Sequence, residues 1–158
     1  MIIRPASRTD APKIAEIWNE MITGTLFTFT TALKEASSIA GLIAQGQSFF
    51  VAEVEGEVVG FSTFSQFRNG PGYANSMEHS IVIREGFSGQ KIGAHLMEAV
   101  EKKALSDGHR TMIAGISSVN SRAQAFHQKQ GYVYAGTLKD VGYKDDRWLD
   151  LILMQKML

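Results

Sequence analysis

Cysteine is absent from this sequence. That removes disulfide bonding, thiolate metal sites and a cysteine nucleophile together. Such a chain suits a reducing compartment, and a cytoplasmic location is expected. Charge of one sign is lacking too: 16 Lys and Arg stand against 16 Asp and Glu. A neutral chain has no bulk electrostatic attraction for nucleic acid or an anionic bilayer, so neither is expected as a partner. No uninterrupted apolar run approaches the ~20 residues of a membrane helix. The opening MIIRPASRTD lacks the basic-then-apolar layout of a secretion signal. No internal repeat, low-complexity tract or long linker interrupts the sequence. What is there is 158 residues, 44% hydrophobic and 20% charged, which suits one domain with a real core over residues 1–158.

Helical and strand patterns alternate along the chain. MIIRPA reads as a short strand. Asp10 is a candidate N-cap with Pro12 in the first turn, and Ile14, Ile17, Trp18 and Met21 follow at helical spacing. TGTLFTFTT (23–31) breaks that period, and reads equally as a loop lining a cleft or as an extended surface connection. A second helix is expected near 35–45. Residues 48–67 look like two strands joined at Glu55–Gly56, and MEHSIVI (77–83) looks like a central strand. A helix is predicted from Gly89 to Ser106, with Ile92, Leu96, Val100 and Ala104 as its apolar stripe. Then come a strand at 111–116, a helix over 120–130 stopped by Gly131, and two closing strands. The interleaving predicts an α/β (α+β) fold with a mixed sheet.

The joint between strand and third helix, EGFSGQKIGAHLM (85–97), concentrates three glycines in eight positions. Strand, glycine turn and helix N-terminus together make an anion site: the first helical amides have no internal acceptor, and the helix dipole adds positive potential there. The spacing fits neither a Walker loop nor the dinucleotide fingerprint, and GFSGQ misses the hydrolase elbow at Gln90. The glycines alone fit a ligand-free turn as readily as a pyrophosphate cradle.

Four stretches together resemble GNAT-type N-acetyltransferases. Ser88-Gly89-Gln90-Lys91-Ile92-Gly93 resembles that family's R/Q-G-x-G-x-G/A, with Ser88 for Arg or Gln and Lys91 for the middle glycine. Asn120, Ala123, His127, Gly131 and Tyr132 match the later N-x-x-A/S-x-x-x-[Y/H]-x-x-x-G-[FY] motif. MEHSIVI and VGYKDDRWLDLILMQKML resemble the corresponding strand and closing hairpin of the phosphinothricin and methionine sulfoximine acetyltransferase branch. The resemblance implies a single GNAT-like domain whose central sheet splays open, with helices on both faces and acetyl-CoA in the split. By position it implies that Ile81, Val82 and Ile83 pair with the pantetheine arm. Ser88, Gly89, Gln90, Lys91, Ile92, Gly93 and Ala94 would hold the pyrophosphate, and Asn120 would bond near the thioester. A homodimer is also implied.

Acetyl transfer needs a deprotonated amine, a donor for the thioester oxygen and a proton for the leaving thiolate. Glu78 is the candidate base. His127, where many relatives carry tyrosine, is the candidate acid or base near the sulfur. Strand alternation turns His79 to the face opposite Glu78, which suits a structural or interfacial role. The four histidines suggest no metal set, and no metal is expected. An acceptor with a carboxylate needs a cation. Arg68 is the leading choice, with Tyr73, Phe29, Phe27 and Thr30 shaping the pocket, and Lys144, Trp148 and Asp150 supporting the site or a dimer contact. The expected reaction moves an acetyl group from acetyl-CoA to a small amine, an amino acid analogue of the phosphinothricin, methionine sulfoximine or methionine sulfone type. Polyamines, peptide N-termini and a non-catalytic acyl-CoA-binding module are the alternatives.

Overall fold

A computed structural model describes residues 1–158. Along the chain run β1 (Ile2–Pro5), α1 (Ala11–Gly24), α2 (Ala36–Ala44), β2 (Phe49–Val54), β3 (Glu57–Gln66) and β4 (Ser76–Ile83). They are followed by α3 (Ile92–Ser106), β5 (Thr111–Ser117), α4 (Ser121–Lys129), β6 (Val133–Lys144) and β7 (Arg147–Met157). All seven strands form one mixed sheet in the order β1-β2-β3-β4-β5-β7-β6. Only the β4–β5 pair is parallel; the other neighbours are antiparallel.

Strand alternation divides the core between the two faces. On one face α1 and α2 bury Ile14, Ile17 and Ile39 against Phe49, Val51, Phe61 and Val82. On the other, the stripe of α3 meets the sheet: Met97, Val100 and Ala104 pack with Met77, Met112 and Met154, and Ile92 and Leu96 with Ala52 and Val59. The hairpin at Glu55–Gly56 is formed as its sequence predicts, with both residues at positive φ (52° and 85°).

Two local expectations change. Asp10 precedes α1, but its carboxylate makes no cap bond to that helix. It turns back to accept from Arg4 (2.9 Å) and from the Ser7 amide (2.7 Å), which hold its carboxyl down at about 2. The third helix starts at Ile92 rather than Gly89, because Gly89 (φ +89°) and Lys91 (φ +61°) are both left-handed and cannot join a right-handed helix.

Candidate active site

The parallel ladder between β4 and β5 covers three residue pairs and stops at Glu78↔Ile113. The β3–β4 ladder continues to Ile83, and the β5–β7 ladder to Ser117. Beyond Glu78 the two central strands therefore part, and a cavity of about 770 Å³ occupies the gap. Ile81, Val82 and Ile83 line it from β4. Ser88, Gly89, Lys91, Ile92, Gly93 and Ala94 line it from the glycine turn and the start of α3, Asn120 from just before α4 and His127 from within it. Gln90 alone of the predicted cofactor residues is not in the wall.

The turn meets the physical requirements for an anion. No side chain caps α3, so its first amides are left for whatever enters the cavity. Lys91 occupies the N-cap position in a left-handed conformation that glycine adopts without strain. Lys91 from the turn, Arg122 and Lys129 from α4, and Lys34 from the α1–α2 connection bring four cations to the cavity wall. Lys34 sits 4.6 Å over the Trp18 ring, its amide tied to Asn19 at 2.8 Å. No aspartate or glutamate lines the cavity.

Glu78 stands at the apex of the split, half-buried. A methyl at Gly115 would come within 2.8 Å of its Oε1, so the glycine makes room for the carboxylate. Gly115 itself lines the cavity, placing Glu78 just behind the wall. Burial, with no ion-pair partner to offset it, pushes the Glu78 carboxyl above the usual glutamate range. A carboxylate of raised basicity is suited to accept a proton from an amine.

His79 does face away from Glu78, as alternation requires, yet it does not face away from the cavity. It is 92% buried in the wall, and its Nε2 lies 3.2 Å from Nε2 of His127. The rings stack 5.0 Å apart, and Tyr132 meets each edge-on. His127 Nδ1 lies 2.7 Å from the Ala123 carbonyl. Burial lowers both histidines, His79 to about 3. Asn120 caps α4 by accepting from the Ala123 amide at 3.0 Å, so its Oδ1 has a structural duty beside any contact with a ligand.

Three residues expected to hold the acceptor lie outside this cavity. Arg68 is exposed on the loop after β3, its guanidinium 5.8 Å from the Tyr73 ring, and Tyr73 packs edge-on against Phe67. Phe29 packs against Gly142 in β6, where an added methyl would collide with its ring. Phe27, Thr28 and Thr30 from the same connection do reach the cavity.

That connection is held from below by Lys144, which is 4% exposed. Its Nζ donates to the carbonyls of Ile22 (2.6 Å), Thr25 (2.7 Å) and Thr28 (3.2 Å). Asp150 accepts from Lys139 and from the Asp140 amide, fixing the bulge in β6. Trp148 is exposed beside Tyr143, with ring centroids 4.8 Å apart.

Known proteins share both the sequence and the shape. Residues 13–132 match the acetyltransferase (GNAT) family. The chain is 33% identical to the L-amino acid N-acyltransferase MnaT of Escherichia coli, over 100% of this chain and 94% of that protein. It is 32% identical to the L-methionine sulfoximine/L-methionine sulfone acetyltransferase of Pseudomonas aeruginosa, over 97% and 92% of the two chains. A GNAT superfamily phosphinothricin acetyltransferase from Sinorhizobium meliloti, solved in complex with acetyl-CoA, superposes with a TM-score of 0.92 at 30% identity, over 99% of this chain and 88% of that one. With its sheet parted beside a glycine turn and an uncapped helix start, the chain belongs to the acetyltransferase (GNAT) family and is an acetyl-CoA-dependent enzyme that acetylates a small amine.

Proposed function

We propose that this enzyme transfers the acetyl group of acetyl-CoA to the α-amino group of a small amino acid analogue of the methionine sulfoximine, methionine sulfone or phosphinothricin type. The observation that carries the reading is Lys34: it brings a cation to the cavity from the α1–α2 connection, apart from the glycine turn whose charge serves the phosphates of acetyl-CoA, and no carboxylate lines the wall. Such a wall attracts a molecule bearing an anionic group and repels a polyamine. The names of the relatives in Escherichia coli, Pseudomonas aeruginosa and Sinorhizobium meliloti support the same class.

In this reading Ser88 to Ala94 hold the pyrophosphate on backbone amides, with Lys91 adding charge. Main-chain groups of Ile81, Val82 and Ile83 meet the pantetheine arm, and the acetyl group ends near Glu78. Glu78, directly or through a water, takes the proton from the ammonium so that nitrogen can attack the thioester carbon. The carbon–sulfur bond then breaks, and the thiolate leaves on the side where His127 stands. We assign the whole of residues 1–158 to one catalytic domain acting in the cytoplasm as a homodimer. The exposed Val141, Tyr143 and Trp148 of the β6–β7 hairpin offer a surface for the second copy.

Thiol release measured across an acceptor panel tests the reading. Methionine sulfoximine, methionine sulfone and phosphinothricin should be acetylated, and their decarboxylated counterparts should lose at least ~10-fold in kcat/KM. Faster turnover of spermidine or of short peptides would overturn it.

A further inference from the structure

The facing histidines admit one arrangement of hydrogens. A carbonyl only accepts, so His127 Nδ1 carries a hydrogen toward Ala123. A neutral His127 then has a bare Nε2, and the hydrogen between the rings belongs to His79. The reverse assignment would oppose two lone pairs in a buried site. Having turned its Nε2 hydrogen to His127, His79 keeps a bare Nδ1, and that atom is buried with no partner.

We infer that His79 is a positioning residue of the acyl-transfer centre: its Nε2 hydrogen and stacked ring hold His127 in the Nδ1–H tautomer with Nε2 already occupied. This rests on the proposed placing of His127 beside the leaving thiolate. Both nitrogens of His127 are committed, so it exchanges a proton with a ligand only when the contact to His79 opens. A further proton can join the intact pair only at His79 Nδ1. The other groups facing the pair are Glu101 from α3, Tyr132 after α4, and Lys156 from β7, which is bonded to Glu101 at 2.6 Å. Burial holds His127 down, and Glu101, itself paired with Lys156, pulls the other way. Glu78 lies across the strand on the other face.

Nitrogen-15 NMR of the imidazoles in the unaltered enzyme reads the arrangement directly. A single hydrogen correlated with both Nε2 atoms, and a hydrogen on His127 Nδ1, are expected. A hydrogen covalently on His127 Nε2 would overturn the inference whatever the variants do. Thiol release supplies the second arm. His79→Phe keeps a flat ring without a donor, and should lower kcat at least ~10-fold with acetyl-CoA affinity within about twofold. His79→Gln, whose amide can donate to the same Nε2, should recover most of that rate. Wild-type turnover in His79→Phe, or no recovery in His79→Gln, refutes the inference. His127→Phe separates the two levels: unimpaired release there removes the placing of His127 and the inference with it, whereas impaired release there beside an unimpaired His79→Phe removes the inference alone.

Discussion

Replacing Lys144 with methionine isolates the clamp beneath the α1–α2 connection. Methionine keeps most of the buried stem volume, so little cavity term is expected. What is lost is an ammonium donating to three carbonyls, two of them at 2.6 and 2.7 Å. Hydrogen bonds to a charged group contribute about 1.5–3 kcal/mol each, and a cation at a helix C-terminus adds up to ~2 kcal/mol. The carbonyls regain part of this by hydration, because the Thr25 and Thr28 stretch lies at the surface. A net loss of about 3–5 kcal/mol follows, which for a chain of this size lowers Tm by roughly 6–20 °C. Phe27, Thr28, Thr30 and Lys34 reach the cavity from the segment so released. The KM for the acceptor should therefore rise several-fold, while acetyl-CoA affinity, carried by β4 and the glycine turn, changes less. Thermal melts and thiol release at varied acceptor concentration measure both. A Lys144→Met enzyme melting within ~2 °C of the parent, with KM unchanged, would show that the three bonds contribute nothing net and that the connection holds itself.

Glu78→Gln should reduce thiol release by about 10²–10⁴-fold with acetyl-CoA affinity preserved. The same change should raise Tm at neutral pH. The folded carboxyl lies above its unfolded value, so stability falls as pH rises through that window, and a neutral amide escapes the penalty. Comparing melts at pH 4 and pH 7 checks the sign: the advantage of Glu78→Gln should shrink at the lower pH. Gly115→Ala places a methyl against Glu78 Oε1, and should cut kcat at least ~10-fold without altering cofactor binding by calorimetry. At the glycine turn, Lys91→Gly should melt higher than Lys91→Ala, since glycine relieves about 1 kcal/mol of left-handed strain. Both should weaken acetyl-CoA a few-fold by removing a cation from the wall.

Periodicity disclosed whatever depends on near neighbours. The stripe of Ile92, Leu96, Val100 and Ala104 is buried as its spacing requires, whereas the cap read at Asp10 gives way to the pull of Arg4 and Ser7. The glycine turn was legible as a strand-to-helix joint, because its backbone is set by consecutive residues; the glycines by themselves left open whether it holds an anion. Contacts between distant residues were not legible. Alternation turned His79 to the correct face, but His127 lies 48 residues away, and only the fold stacks the two rings. Lys144 meets Ile22 across 122 residues, and no local pattern foretells a lysine buried among carbonyls. Arg68 is near the Glu78 strand in sequence but outside the cavity, whereas Lys34 reaches the cavity through a connection whose path no periodicity defines.

The early end of the β4–β5 ladder has a consequence for ligand choice. Past Glu78 and Ile113 each strand keeps one backbone margin without a neighbouring strand, like two halves of an unfastened zipper. Its N–H and C=O groups recur at every second residue, about 6.6 Å apart, along each half, and a desolvated peptide group left unanswered is costly. A guest threaded between the halves must therefore offer amides of its own. A bare hydrocarbon tail of equal length would leave the teeth of the zipper with nothing to engage.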